Sequence, residues 1–202
     1  HVHLGAAEVP GRVAILEKKS IEPGETGLIQ IVLDRRVGTL KNDGFVLRDQ
    51  SARRTIAGGQ VIDPFSPARG RAKPERIDFL HAMEMDKADQ ALAQLLIQSP
   101  LGIDLSHFIT AWNLTEGEQT ITFDSTEMVK VGVGTNIIAL SPENFDKIGS
   151  MVLNILKSWH VNNPDKPGPG FDALRKFLKP RVPLVVSEGV LLSLVAEKKI
   201  IH

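Results

Sequence analysis

The sequence predicts a multidomain α+β fold, in which an all-β barrel is followed by two tandem winged-helix domains. A length of 202 residues is sufficient for one to three domains. Up to about residue 63, short branched apolar runs alternate with clusters of Gly, Pro, Asn and Asp, which is typical of strands joined by turns. Beyond residue 76 the apolar residues recur at spacings of three and four, which indicates helices. The predicted limits are residues 1–64 for the barrel, 65–76 for a linker, and 77–140 and 141–202 for the winged helices.

Four runs in the first domain are predicted strands: residues 11–16, 27–34, 44–48 and 55–62. In the second run one face is wholly apolar and the other is apolar except for Gln30. A strand buried on one face and largely covered on the other suits a small barrel or sandwich. The pair Gly58-Gly59 inside the last run predicts a bulge or a close backbone approach.

The segment after the barrel is rich in Pro, Gly and basic residues, which favours a connector. Residues 77–96 then carry a helical period, and Asp104 is placed to cap a helix over 105–112. Residues 120–140 return to strand-like runs, with a turn at Gly132 and Gly134. Two helices followed by a pair of strands is much the same order of elements as in the last domain, described next. We therefore expect two related winged-helix units.

In the last domain, Ser141 followed by Pro142 predicts the start of a long helix that runs through residue 159. A short helix over 171–178 and a helix capped at Ser187 follow. Residues 198–202 are predicted to form the first strand of a wing. Three helices and then a strand is the order typical of a winged helix.

The net charge of zero conceals strong local differences in charge. Residues 35–76 hold ten basic and four acidic side chains, whereas residues 77–128 hold one basic and nine acidic. From residue 129 onward, ten basic residues stand against six acidic ones. The basic segment is a candidate surface for phosphate, although an ordinary solvated surface explains it as well.

No pattern predicts a catalytic or metal site, so we expect neither an enzyme nor a bound cofactor. The chain has no Cys, which excludes disulfides and thiolate ligands and favours a cytoplasmic protein. Phosphate-loop, zinc-protease and hydrolase motifs are absent. The Gly132-Val133-Gly134 fragment is interpreted as a turn, and capping explains Asp104 beside His107. No run of about 18 apolar residues exists, so we expect no membrane partner.

The first domain resembles the third domain of Tu-type elongation factors, and more closely that of the selenocysteine-specific elongation factors (SelB type). The resemblance rests on residues 3–9 (HLGAAEV), 21–25 (IEPGE), 45–51 (FVLRDQS) and 54–61 (RTIAGGQV). Beyond the barrel, the residues that resemble this family's winged-helix repeats are Trp159-His160, Asn163-Pro164 and Gly168-Pro169-Gly170. The chain is accordingly interpreted as a fragment that holds the third elongation-factor domain and the first winged-helix modules.

This resemblance implies a role in delivering selenocysteinyl-tRNA to the ribosome at recoded UGA codons. GTP and magnesium would bind in the parent protein's GTPase domain and not in this chain. In the family the third domain lies against the tRNA backbone, and the loop between its last two strands supplies contacts. The candidate tRNA-binding residues are Arg48, Asp49, Gln50, Ser51, Arg53 and Arg54.

Three alternatives stay open at this point. The arginines of the loop could pair with Asp43 or Asp49 and have no ligand. The chain could be a transcriptional regulator with a β-barrel sensing domain and winged helices that bind DNA, or an interaction scaffold. The third helices of both winged helices lack the basic residues of a helix that binds in a nucleic-acid groove. We therefore expect these units to act as a spacer, with recognition of the mRNA hairpin in winged helices beyond residue 202.

Overall fold

The computed structural model describes residues 1–201 and contains nine strands and seven helices within them. The chain divides into two compact units: residues 1–92 with 109–121, and the remainder. The elements of the N-terminal part are β1 (Val2–Leu4), β2 (Ala7–Val9), β3 (Gly11–Ile15), β4 (Ile29–Leu33), β5 (Gly44–Arg48), β6 (Thr55–Gln60) and α1 (Pro74–Met83). Those that follow are α2 (Ala88–Gln98), β7 (Ile103–Asp104), α3 (Leu105–Trp112), α4 (Glu116–Asp124), β8 (Val129–Val133), β9 (Asn136–Leu140), α5 (Pro142–Asn162), α6 (Phe171–Phe177) and α7 (Leu184–Ala196).

The first six strands form two antiparallel sheets, one in the order β2-β1-β5-β6 and the other pairing β3 with β4. Alternate residues of each strand face the core. The buried apolar side chains are Val2, Leu4, Val9, Leu28 and Leu47. All four predicted strands are present, so the all-β character of this region is confirmed.

The glycine pair in β6 marks a close approach. A Cβ atom on Gly59 would lie only 2.7 Å from Cζ of Phe45 on the neighbouring strand β5. The ring of Phe45 therefore occupies the space that a side chain at position 59 would need. The irregularity in the β5–β6 register lies farther along, between Leu47 and Arg48, where Ile56 is the extra residue.

The prediction for the faces of β4 was wrong in detail. Gln30 is buried together with Leu28, whereas Val32 is 45% exposed. Burial of an amide is tolerated because it is hydrogen-bonded: Nε2 of Gln30 donates to the carbonyl of Pro67 at 3.1 Å. This bond attaches the segment after the barrel to β4.

Helix α1 begins at Pro74, inside the segment predicted as a linker. Proline at the first helical position loses no hydrogen bond, because that N–H has no partner within a helix. Lys73 is the N-cap and makes no capping hydrogen bond with its side chain. The predicted domain limits at residues 64, 76 and 140 stay predictions.

His81 on α1 lies between two carboxylates. Its Nδ1 is 2.9 Å from Oε2 of Glu84, and its Nε2 is 3.0 Å from Oε1 of Glu17, in the connection between β3 and β4. The pKa of His81 is raised, first by the hydrogen bond with Glu84 and then by that with Glu17. A protonated imidazole can donate to both carboxylates at once. His81 therefore connects α1 to the β3–β4 connection most strongly in its charged form.

We expect the contribution of His81 to stability to depend on pH. Because its pKa is higher in the folded chain, the stabilisation is complete below the unfolded value of about 6.5 and is lost as pH rises through the folded value. His81→Gln should lower the thermal midpoint at about pH 6 and leave it nearly unchanged at about pH 9. His160→Gln, at an exposed position, is the control. An equal loss for His81→Gln at both pH values would contradict this account.

The three strands of the middle region form an antiparallel sheet in the order β7-β9-β8. Helix α3 has the predicted limits, and Oδ1 of Asp104 accepts the backbone N–H of His107 at 3.0 Å, as expected for an N-cap. Gly134, with φ +61°, lies in the turn between β8 and β9. The predicted turn is therefore present at Gly134, whereas Gly132, which was predicted to lie in it as well, is in strand β8.

The prediction of strands throughout residues 120–140 was wrong at its start, where helix α4 lies. Oε2 of Glu118 accepts the backbone N–H of Thr115 at 2.8 Å and the Thr115 hydroxyl at 2.7 Å. The backbone N–H of Glu118 faces the Thr115 hydroxyl in return, at 3.4 Å. This capping box begins the helix. Glu118 therefore caps the helix and is not simply solvated.

In the last region, α5 begins as predicted, with Oγ of Ser141 accepting the N–H of Asn144 at 3.2 Å. The core here is built from β8, β9 and the last three helices. Its buried residues are Val131, Leu140, Ile148, Val152, Leu174, Leu178, Val182, Val186, Val190 and Leu194.

Two predictions for the last region were wrong. Helix α7 begins at Leu184, so Ser187 lies inside it, and its hydroxyl donates to the carbonyl of Pro183 at 3.0 Å instead of capping. Residues 198–201 form no strand; the chain turns there through Lys198, whose φ is +57°. Residue 202, the last of the predicted wing strand, lies outside the described residues.

Candidate nucleic-acid interface

The candidate tRNA-binding residues lie on one tight loop that joins β5 to β6. The loop is closed across its base by the N–H of Asp49, which donates to the carbonyl of Arg54 at 3.0 Å. Within it, the N–H of Ala52 donates to the carbonyl of Asp49 at 2.9 Å, and Ala52 takes a left-handed conformation with φ +55°. The structure thus brings all six predicted residues together.

The carboxylate of Asp49 organises this loop from inside. Its Oδ1 accepts the hydroxyl of Ser51 at 2.9 Å and the backbone N–H groups of Arg53 at 3.0 Å and Arg54 at 3.4 Å. The pKa of Asp49 is lowered, most by the Ser51 hydroxyl and further by the backbone N–H groups. Asp49 and Ser51 therefore hold the backbone in place, a role that the sequence did not predict.

The arginines of the loop are not neutralised by the nearby acids. Asp43 accepts the hydroxyl of Thr39 and the N–H of Leu40, both at 2.8 Å. Asp49 accepts the Ser51 hydroxyl and the backbone N–H groups described above. Among residues 1–201, neither aspartate forms an ion pair with Arg48, Arg53 or Arg54. The alternative that these arginines pair with Asp43 or Asp49 is contradicted.

Three side chains of the loop are exposed and have no partner within the described part of the chain: Gln50, Arg53 and Arg54. Arg48 is exposed as well, and its Nη1 donates to the carbonyl of Ala52 at 3.3 Å. Guanidinium groups suit phosphate oxygens, because their donors form a planar fork that can bind two oxygens at once. A short loop with a fixed backbone and three exposed arginines can hold a phosphate backbone.

The last helix of each winged-helix region, α4 in the first and α7 in the second, has a different character. Helix α4 contains no Lys or Arg and begins with Glu116 and Glu118. Helix α7 also contains no Lys or Arg, and it is mostly Val and Leu. A helix that reads a nucleic-acid groove needs basic or amide side chains on its exposed face. The amide of α4, Gln119, is half-buried and donates to the carbonyl of Leu114 at 3.0 Å. Neither helix therefore presents the exposed side chains of such a reader.

Residues 1–201 hold neither a candidate metal site nor a helix that could span a membrane. No group of three or more His, Asp or Glu side chains there is arranged to hold a metal ion. None of the helices that the structure describes combines the length and apolar character needed to cross a bilayer.

Comparison with known proteins identifies the family. Residues 1–68 match the family model described as "Selenocysteine-specific elongation factor, beta-barrel domain". Residues 153–202 match the model described as "Elongation factor SelB, winged helix". The chain belongs to the selenocysteine-specific elongation factors. The family that the sequence resembles is confirmed, and so is the fold class of a β-barrel followed by winged helices.

Two curated members of this family match most of the chain, and a third matches part of it. The Selenocysteine-specific elongation factor of Escherichia coli (strain K12) is 28% identical over 180 residues, which is 89% of this chain and 27% of that protein. The one from Haemophilus influenzae is 24% identical over 173 residues, covering 83% of this chain and 26% of that protein. That of Desulfomicrobium baculatum is 33% identical over 64 residues, or 32% of this chain. The chain thus spans about a quarter of the length of the first two SelB relatives.

Proposed function

We propose that this chain is the part of a GTP-dependent translation factor that helps to deliver selenocysteinyl-tRNA to the ribosome at recoded UGA codons. Its barrel contacts the tRNA backbone through the β5–β6 loop. One observation carries this proposal: the loop has exposed arginines, and hydrogen bonds to Asp49 hold its backbone in place. Hydrolysis of GTP, with its magnesium ion, belongs to the GTPase domain of the parent protein. We expect the protein to work in the cytoplasm.

The winged helices form an arm toward the mRNA hairpin in this proposal. Because α4 and α7 carry no basic residue, the two units serve as a spacer, and the hairpin is recognised by winged helices outside this chain. The same observation disfavours a transcriptional regulator, which needs a basic third helix. A gel-shift assay with the hairpin at physiological salt should show no binding by this chain; a clear shift would overturn the spacer role.

Titration of the chain into labelled selenocysteinyl-tRNA tests the contact made by the barrel. We expect the double variant Arg53→Ala/Arg54→Ala to bind roughly tenfold more weakly, because each lost phosphate contact reduces affinity and its dependence on salt. Lys176→Ala/Arg181→Ala removes the same amount of charge from exposed positions far along the sequence and should bind like the wild type. Equal binding by the wild type and both variants would contradict the proposal.

In the same assay, Asp49→Ala distinguishes the effect of loop structure on RNA affinity from the effect of net charge. The substitution removes a negative charge, so electrostatics alone predicts tighter binding to RNA. It also removes the acceptor that holds Ser51, Arg53 and Arg54, so a requirement for a fixed loop predicts weaker binding. We expect weaker binding. A gain in affinity would show that the arginines act only through charge.

A further inference from the structure

A second group of basic side chains lies in the segment between β6 and α1. Gly70 takes a left-handed conformation with φ +75°, and the N–H of Lys73 donates to its carbonyl at 3.2 Å. This turn places the basic side chains at the start of α1. They line an open cleft of about 380 Å³. The residues around the cleft are Arg69, Gly70, Lys73, Glu75, Arg76 and Phe79.

Only part of this positive charge is balanced within the chain. Arg76 forms a close ion pair with Asp63, at 2.7 Å, and its guanidinium lies 4.9 Å from the centre of the Phe79 ring. Arg69 and Lys73 are exposed, and their side chains have no hydrogen bond or ion pair in the part of the chain that the structure describes. Glu75 is the one acidic residue that lines the cleft. Two cations of the cleft are therefore free to bind a ligand.

The position of these cations at the start of a helix is unfavourable in the free chain. The N-terminus of a helix carries a partial positive charge, and anions, not cations, are stabilised there. In α1 the N-cap itself is Lys73, and no side chain satisfies the first N–H groups by capping. An anion bound between Arg69 and Lys73 would relieve this repulsion and accept hydrogen bonds from both.

We propose that this cleft is a second contact for the RNA phosphate backbone, used together with the β5–β6 loop. The inference rests on the proposed function, because that function supplies the RNA. The cleft is open, and its unpaired charges are an arginine and a lysine on flexible stems. These features suit a passing phosphodiester strand, which needs charge and access without recognition of a base.

The attachment of this segment supports the same conclusion. The carbonyl of Pro67 accepts the buried amide of Gln30 at 3.1 Å, and the ion pair between Asp63 and Arg76 joins its two ends. The segment is thus held against the barrel on both sides of Arg69. Cations on an anchored segment lose less conformational freedom when they bind than cations on a flexible linker.

Salt-dependent titration of selenocysteinyl-tRNA tests this second contact with the variant Arg69→Gln/Lys73→Gln. Glutamine keeps a polar side chain at both positions and removes their charge. Both positions are exposed, and the charges removed are unfavourable at the start of α1, so the thermal midpoint should not fall below the wild-type value. Between about 50 and 200 mM salt, we expect roughly tenfold weaker binding and a slope of log affinity against log salt that is shallower by about 2. Lys176→Gln/Arg181→Gln is the matched control.

The outcomes distinguish this inference from the proposed function. If Arg69→Gln/Lys73→Gln binds like its control while Arg53→Ala/Arg54→Ala binds weakly, the cleft is not a contact and the loop remains one. The opposite pattern would show that the cleft contacts the RNA and that the β5–β6 loop does not. If the wild type shows no salt-dependent binding, both are overturned. If inorganic phosphate at matched ionic strength stabilises the wild type but not Arg69→Gln/Lys73→Gln, while both bind selenocysteinyl-tRNA equally well, the ligand is a small anion and not RNA.

Discussion

Replacing Gly132 by alanine is expected to lower the free energy of unfolding by roughly 3 kcal/mol, because two costs combine. Gly132 lies in β8 with φ +106°, a conformation that residues with a side chain rarely adopt. A Cβ atom there would overlap the carbonyl oxygen of Asn136 and lie 2.9 Å from Cγ1 of Val185. The first contact is with the backbone of the paired strand, so it is relieved only by opening the hairpin.

Gly134→Ala is the matched control for this prediction. Gly134 also has positive φ, at +61°, but no atom lies within 4 Å of the Cβ position. Its replacement should cost only the conformational penalty, about 1 kcal/mol. Urea unfolding followed by circular dichroism measures both. Equal midpoints for the two variants would show that the approach of Gly132 to Asn136 is not a constraint on the hairpin.

Removing Arg76 is expected to destabilise the N-terminal unit by about 3 kcal/mol, because it leaves a charge buried without a partner. Arg76 and Asp63 are joined at 2.7 Å, and the side chain of Asp63 is only 4% exposed. The other carboxylate oxygen accepts the N–H of Phe65 at 2.9 Å, so the carboxylate stays fixed in place after Arg76 is lost. Arg76→Ala should therefore lower the urea midpoint clearly.

Two further variants make this prediction specific. Asp63→Asn/Arg76→Ala removes both charges and should recover most of the lost stability. Lys147→Ala breaks the pair with Glu143, in which both side chains are mostly exposed, and should leave the midpoint unchanged. A double variant as unstable as Arg76→Ala would mean that the packing of Arg76 on Phe79 matters more than the ion pair.

Much of the fold could be predicted because local signals set where elements begin and end. Asp104 caps α3 and Ser141 caps α5, and in both places the structure has the predicted start. Each cap satisfies N–H groups that no other residue of the helix can reach, so the signal depends only on near neighbours. Four of the six strands in the barrel region were predicted for the same reason, since turn residues separate their apolar runs, whereas β1 and β2 were not predicted.

Helix α4 was missed although a local signal for it exists. Its sequence TITF is rich in residues that favour strands, and this pattern competes with the capping box of Thr115 and Glu118. The start of α7 was misplaced for a related reason. Ser187 is a good capping residue in general, but Pro183 ends the preceding segment and the helix begins directly after it.

The candidate site could be located from the sequence, but its internal organisation could not. The clustering of Arg48, Arg53 and Arg54 is visible in the sequence and marks the loop. That Asp49 binds the loop backbone instead of an arginine side chain depends on the left-handed turn at Ala52, which the sequence does not signal. The links from Asp63 to Arg76 and from Glu17 to His81 join distant residues, so only the folded chain reveals them.

The most direct test of the central claim is to map which part of the RNA lies beside the β5–β6 loop. The chain contains no Cys, so Gln50→Cys provides a single attachment point for a reagent that cleaves nearby RNA backbone. We predict cleavage of selenocysteinyl-tRNA confined to its acceptor and T arms, and none above background from Ser158→Cys, an exposed position on α5. Absence of cleavage from position 50, or the same pattern from both positions, would contradict the account.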